Sequence, residues 1–142
     1  MKIFCVECQD HMETELVTGR EIYPHRPDLA DKYFYKCTKC GNYVGCHPNT
    51  TKPLGCIPND ELKKARSLIH DKLDPLWKSY AYGKSRGWWY SKLAKELGIK
   101  EYHTGWTRSV EECRNVWRAI NKILKDLEFK EKENERMANK GN

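Results

Sequence analysis

The sequence predicts an α+β fold, a small β-rich module over residues 1–58 followed by a three-helix part over residues 59–130. Three observations lead there. The first third consists of short apolar runs broken by glycine and proline, as strands and turns require. It also holds two Cys-x-x-Cys pairs, Cys5/Cys8 and Cys37/Cys40. From Asn59 onward the apolar residues instead recur at helical spacing, between residues that start and stop helices.

In the first part, Glu15-Leu16-Val17 and Glu21-Ile22-Tyr23 read as a hairpin turning at Thr18-Gly19-Arg20. The segment Pro24-His25-Arg26-Pro27-Asp28 is a loop, because two prolines exclude both helix and central strand. Residues 32–36 and 42–46 read as strands on either side of the second cysteine pair. A second proline-rich loop runs from His47 to Pro58.

In the second part, Asn59 or Asp60 caps a helix reaching about Lys72, with Leu62, Ala65, Leu68, Ile69 and Leu73 on one face. Asp74-Pro75 repeats a start signal. Ser85 caps a helix over residues 86–97 that Gly98 stops. Ser109 with Glu112 forms a capping box for a third helix, striped by Val110, Cys113, Val116, Trp117, Ile120, Ile123, Leu124 and Leu127. Residues 131–142 offer little to bury and are expected to form a disordered polar tail.

The chain of 142 residues is 39% hydrophobic and 32% charged, so any core is modest. No stretch approaches the roughly 18–20 apolar residues of a membrane span. Met1-Lys2-Ile3-Phe4 runs straight into Cys5, leaving no room for a signal-peptide apolar region, so a reducing cytoplasm is expected. Charge is uneven. Residues 1–56 carry 7 basic and 7 acidic side chains, whereas residues 57–142 carry 19 and 13. Within the latter, Lys78, Lys84, Arg86, Lys92, Lys95 and Lys100 face Glu96 alone. Such an excess attracts phosphate.

Seven cysteines exclude complete internal disulfide pairing. Two residues between thiolates let the chain curl so that both sulfurs face one point about 2.3 Å away, and two such pairs make a closed tetrahedral zinc shell. Gly41, after the second pair, permits the positive φ such a turn often needs. The 28 residues between Cys8 and Cys37 leave room for an inserted hairpin, as in zinc ribbons. One structural Zn²⁺ on Cys5, Cys8, Cys37 and Cys40 is therefore expected. Two unconnected thiol pairs or a redox dithiol are the alternative. Cys113 lies on an apolar helical stripe and reads as a small core residue. Cys46 and Cys56 flank the proline-rich loop beside His47, and could be extra ligands, a nucleophile, or packing residues.

The run from Tyr35 through Cys37-Thr-Lys-Cys40-Gly-Asn-Tyr-Val44-Gly-Cys46-His47, then Pro53-Leu54-Gly55, Asp60-Glu61-Leu62, Ala65-Arg66, His70 and Asp74-Pro75-Leu76-Trp77, resembles a family. That family is the zinc-finger-containing domain found in phages, prophages and bacteria. The similarity continues more weakly through Ser85-Arg86, Leu93-Ala94, Leu97-Gly98, His103 and Gly105 to Cys113. Trp88-Trp89-Tyr90 departs from the family pattern as a heavier aromatic cluster. The resemblance implies the four-cysteine metal site and a phage or mobile-element origin, and no reaction.

Three functional readings follow. The first is a zinc-stabilised nucleic-acid-binding protein, DNA before RNA, using Lys84, Arg86, Trp88, Lys92, Lys95 and His47 for phosphate contact and base stacking. Trp89 would be core, since it shares a face with Leu93 and Leu97, and Trp106 and Trp117 are assigned to structure. The second is an adaptor or inhibitor that binds a host protein through the same aromatics. The third is an HNH-like nuclease, with His47 at a strand end, His70 on the next helix and Asp60, Asp71 or Asp74 as metal carboxylates. Against the third, no acidic residue directly precedes His47.

Overall fold

A computed structural model describes residues 1–140, and the chain forms two compact units. One comprises residues 1–66 with 104–110, and the other residues 67–103 and those from 111 on. The expected boundary at residue 58 and this division differ because the chain returns to the first unit through residues 104–110.

The first unit is an antiparallel sheet in the order β1 (Lys2–Cys5), β2 (Asp10–Thr18), β3 (Tyr33–Cys37), β4 (Tyr43–Gly45). Lys2 pairs with Glu13 and Phe4 with His11 between β1 and β2, and Thr14 pairs with Cys37 between β2 and β3. Alternation along β1 buries Ile3 and Cys5 and turns Phe4 to the other face. The expected hairpin at Gly19 is not formed. β2 runs straight to Thr18, and Gly19–Ile22 form a one-turn helix, α1. Gly19 is needed for close packing rather than for a turn, because a Cβ there would lie 1.8 Å from the carbonyl oxygen of Leu29.

One cluster of this unit's interior lies around the cysteines. Ile3, Cys5, Tyr35, Cys37, Val44 and Ile57 are buried together, with Cys8, Met12 and Cys46 packed against them. Ile57 closes it by bridging Cys5, its amide donating to Phe4 O at 2.8 Å and its carbonyl accepting from Val6 N at 2.9 Å. Outside the interior, Tyr23, Phe34 and Tyr43 meet edge to face at 5.7–5.8 Å. Lys63 lies 4.1 Å over the Tyr43 ring and donates to its hydroxyl at 2.8 Å.

Residues 104–110 are fastened to this sheet by backbone and by one buried cation. Cys56 N–H donates to Gly105 O at 3.2 Å, and a Cβ on Gly55 would lie 1.7 Å from that same oxygen. Arg66 is 9% exposed, and its guanidinium donates to Thr107 Oγ1 at 3.1 Å, to Thr107 O, to Cys56 O at 3.4 Å and to Cys56 Sγ at 2.9 Å. A buried arginine is tolerable only when its donors are satisfied in this way.

Helix α2 (Asp60–Lys78) begins as expected, with Asn59 Oδ1 accepting from Leu62 N at 2.9 Å. It does not stop near Lys72. It continues through Pro75 to Lys78, and the backbone resumes at Ser79 N, which donates to Pro75 O at 3.1 Å. A proline so near a helix end removes a single amide donor. Leu62, Ile69 and Leu73 are buried, whereas Leu68, expected on the same face, is 57% exposed.

In the second unit, α3 (Arg86–Leu97) is capped by Ser85 Oγ, which accepts from Trp88 N at 3.2 Å, and ends at Gly98 with φ 68°. Trp89 and Leu93 are fully buried. Helix α4 (Val110–Lys140) starts where the capping box predicts but runs about ten residues past the expected end. Of the expected disordered tail, residues 131–140 are helical, and residues 141 and 142 lie outside the described residues. Cys113, Val116, Ile120 and Ile123 are buried, while Trp117 and Trp106 are 37% and 57% exposed rather than structural core. Lys122 joins α4 to Glu96 of α3 at 2.9 Å, and Lys72 of α2 lies 4.3 Å over Trp117. No helix among the described residues is long and apolar enough to cross a membrane.

The closeness of Gly55 to Gly105 gives a test of how the 104–110 segment is held. Gly55→Ala should lower unfolding stability by about 3 kcal/mol, the upper end for overpacking, read as a shifted urea midpoint. An unchanged midpoint would show that the segment moves aside freely.

Candidate metal centre and basic–aromatic face

Each cysteine pair sits on a hairpin turn, which is why the spacing is two. Cys5 ends β1 and Cys8 lies in the turn to β2, while Cys37 ends β3 and Cys40 lies in the turn to β4. The residue after each second cysteine is left-handed, Gln9 with φ 54° and Gly41 with φ 82°. Glycine was foreseeable there. Glutamine was not, and its side-chain amide donates to Val6 O within the same turn, which helps offset the strain.

The register of β2 with both β1 and β3 brings the two turns together. The four Sγ atoms lie within 4.8 Å of one another, with Cys5–Cys40 at 3.5 Å and Cys8–Cys37 at 3.9 Å. Zinc–sulfur bonds of about 2.3 Å in a tetrahedron require sulfurs about 3.8 Å apart. The site fits one structural zinc ion, held by four thiolates with no position left for substrate or water. Bound there, zinc supplies a cross-link between two hairpin turns. Cys5 and Cys37 are buried, Cys8 half-buried and Cys40 exposed, so the metal edge of the sheet approaches the surface through Cys40.

Electrostatics at the four sulfurs are unequal. Burial pushes the Cys5 thiol up to about 12 and also raises Cys8. Burial pushes Cys37 upward too, but the backbone amides of Cys40 and Lys39, with the neighbouring thiols, more than reverse it and bring it down to about 7. Cys37 is thus the thiol most ready to meet a metal, and Cys5 and Cys8 release their protons to solvent as the metal binds.

Among the described residues these cysteines are the single group of three or more His, Cys, Asp or Glu side chains able to hold a metal ion. The other candidate ligands have separate roles. Cys46 is half-buried against the first unit's interior, where burial raises its thiol. Cys56 is bound to Arg66, and Cys113 is buried in α4. His47 is exposed and serves through its backbone, its amide donating to Lys52 O at 2.9 Å and its carbonyl accepting from Thr50 Oγ1 at 2.9 Å. His70 pairs with Asp74 at 3.2 Å along α2. Of the residues weighed for an HNH-like site, His47 and Asp60 belong to the first unit and His70, Asp71 and Asp74 to the second.

The sequence-derived binding residues divide into three groups. His47 belongs to the first unit, and the others belong to the second. Lys84 lies 4.8 Å over the half-buried Trp88 ring, and Lys92 and Lys95 follow Trp88 on the same side of α3. Arg86 lies on the other side, 4.1 Å over Tyr90 and 5.8 Å over Trp77. Trp88 and Lys92 line a groove of about 160 Å³ with Phe129 and Lys130 of α4, and a neighbouring one of about 360 Å³ holds Tyr82 and Lys84. Phe129 and Lys130 escape the sequence reading because the helix was expected to end there. The basic side chains of residues 78–100 make no carboxylate pair among the described residues, and Glu96, the one acid in that stretch, is taken by Lys122.

Purified protein should carry one zinc per chain by elemental analysis, and Cys37→Ser should lose it together with the dispersed amide resonances of residues 1–66. A folded metal-free protein would contradict the cross-link. Apparent zinc affinity should fall as pH falls, because Cys5 and Cys8 must release protons. The fall should steepen below about pH 7, where Cys37 becomes a further proton carrier. Competition with a chelator across pH reads this slope, and a flat profile would count against the assignment.

No curated protein and no solved structure matches the chain. Residues 1–123 match the zinc-finger-containing domain. That span includes both cysteine pairs, α2, α3 and the buried stretch of α4. The chain belongs to the zinc-finger-containing domain family.

Proposed function

We propose that this protein binds nucleic acid, DNA in preference to RNA, and that zinc stabilises the fold without touching the ligand. The observation that supports this most is the face of α3. Trp88 is half-buried under Lys84, Lys92 stands one turn on, and the four further basic side chains of residues 78–100 make no carboxylate pair among the described residues. An aromatic ring flanked by unpaired cations suits a base against the ring and phosphates against the lysines. The net charge of +6 adds long-range attraction. We also propose a mobile-element origin and action in the bacterial cytoplasm, as the resemblance read from the sequence implies.

A second reading, an adaptor for a host protein, draws on the last part of α4, where Phe129 and Met137 are 66% and 67% exposed among mostly polar residues. Exposed large apolar residues suit a protein contact better than a phosphate backbone.

Salt separates the two. Binding through about three phosphates should weaken about 40-fold between 50 and 200 mM salt, measured by fluorescence anisotropy on labelled DNA. Lys92→Glu should reduce affinity about tenfold and flatten that dependence, and Trp88→Ala should reduce affinity about fivefold with the dependence kept. No binding at low salt, together with recovery of one host protein that survives high salt, would favour the adaptor.

A further inference from the structure

The two grooves beside α3 form one track, because Leu127 and Lys130 line both. The track runs along α4 from Asp126 to Asn134, about 12 Å at the helical rise of about 1.5 Å per residue. Its two walls differ in chemistry. One carries rings and cations, with Tyr82 and Lys84 from the segment before α3 and Trp88 and Lys92 from the helix itself. The other wall, α4, carries the acceptors Asp126 and Glu131. All of these residues belong to the second unit.

The ring-bearing wall is fixed before any ligand arrives. Lys84 lies 4.8 Å over the Trp88 ring, and Trp88 meets the buried Trp89 edge to face at 5.3 Å. Tyr80, Tyr82 and Gly83 are left-handed, with φ 52°, 58° and 71°, and the turn they make sets Tyr82 on the groove against α4. Two tyrosines in that conformation are costly and persist only where their surroundings hold them. Lys122 ties α4 to α3 through Glu96 at 2.9 Å. The carboxylates of Asp126 and Glu131 decide which way a ligand would lie. They disfavour phosphate and accept hydrogen bonds from amino groups. A strand with its phosphates at Lys84 and Lys92 therefore turns its base edges toward α4.

We infer that this track takes an unpaired strand and selects bases with exocyclic amino groups, cytosine and adenine, over thymine. Tyr82 and Trp88 supply the stacking surface, Lys84 and Lys92 meet phosphates, and Asp126 and Glu131 accept from the amino groups. Carboxylates read the cytosine amino group in this way. Thymine presents at the same edge one N–H between two carbonyl oxygens, and those oxygens repel a carboxylate. In a duplex these edges are occupied by the complementary strand, whereas unstacked single-stranded bases offer them to side chains. The inference rests on the proposed nucleic-acid binding at α3 and adds to it the strandedness and the base class of the ligand.

The test titrates full-length, zinc-loaded protein at low salt with fluorescent DNA strands of equal length. One strand holds only cytosine and adenine, the other only thymine, and each is used free and annealed to its complement. The cytosine–adenine strand should bind about tenfold more tightly than the thymine strand, and annealing should remove that advantage. Asp126→Ala combined with Glu131→Ala, both at exposed positions, should narrow the difference to about twofold by weakening the cytosine–adenine strand. Tyr82→Ala, checked for an unchanged melting temperature, should weaken both free strands about fivefold and leave duplex binding as it was. If the carboxylate variant instead tightens both strands equally, Asp126 and Glu131 only repel phosphate and the orientation is wrong. Equal affinity for the two free strands, or tighter binding of the duplexes, would overturn the assignment as well. Should these comparisons fail while Lys92→Glu still lowers DNA affinity, the α3 reading stands without the track. If no form of DNA binds at all, both fail together.

Discussion

The zinc–thiolate cross-link between two hairpin turns is the constraint on which the first unit depends. One buried cluster of this unit holds six residues, and two of them, Cys5 and Cys37, are metal ligands. A cluster of that size offsets little of the chain entropy of the ordered residues around it. Structural zinc in small modules supplies about 10–16 kcal/mol at neutral pH, as much as the whole net stability of an ordinary domain, about 5–15 kcal/mol. Position matters as much as energy. The metal lies where β1 and β3 end, so it fixes the register of both strands against β2.

From that point the order spreads along the chain rather than through a large core. Cys5 sets β1, β1 pairs with Ile57, and the segment around Ile57 leads through Cys56 to Arg66 and Thr107. Arg66 is a buried cation among carbonyls, a hydroxyl and a thiol, and its removal would leave buried acceptors unmet. The same connections that stabilise the first unit also position Phe4 on its surface, where the Arg108 guanidinium lies 4.3 Å over the ring. In the second unit the surface is organised differently, by aromatic rings that hold cations in place: Lys84 over Trp88, Arg86 over Tyr90 and Trp77. In the second unit this restrains Lys84 and Arg86 with no carboxylate pair among the described residues.

What was legible in the sequence was local chemistry, and what was not was long-range contact. The cysteine pairs, the Asn59 and Ser85 caps and the Gly98 stop were readable because each acts within a few residues of itself. Gly19 was misread, because close approach to Leu29 and a hairpin turn leave the same glycine in a sequence. Asp74-Pro75 was misread as a boundary, although a proline three residues before a helix end breaks one hydrogen bond and no more. The amphipathic pattern of α4 fades after Leu127, yet the helix continues to Lys140 because helix-forming Glu and Lys dominate it. Tyr82, Lys130 and Glu131 carried no sequence signal as a group. They meet because α4 runs past its expected end beside the segment before α3, which spacing does not record.

Cobalt substitution at the cysteine site, followed by titration with DNA, tests the central claim that the metal is a closed brace lying apart from recognition. The account predicts the visible spectrum of a tetrahedral four-thiolate cobalt centre that is unchanged when DNA binds. A five- or six-coordinate spectrum, or one that shifts on DNA binding, would mean the shell is open or touches the ligand, and would contradict it.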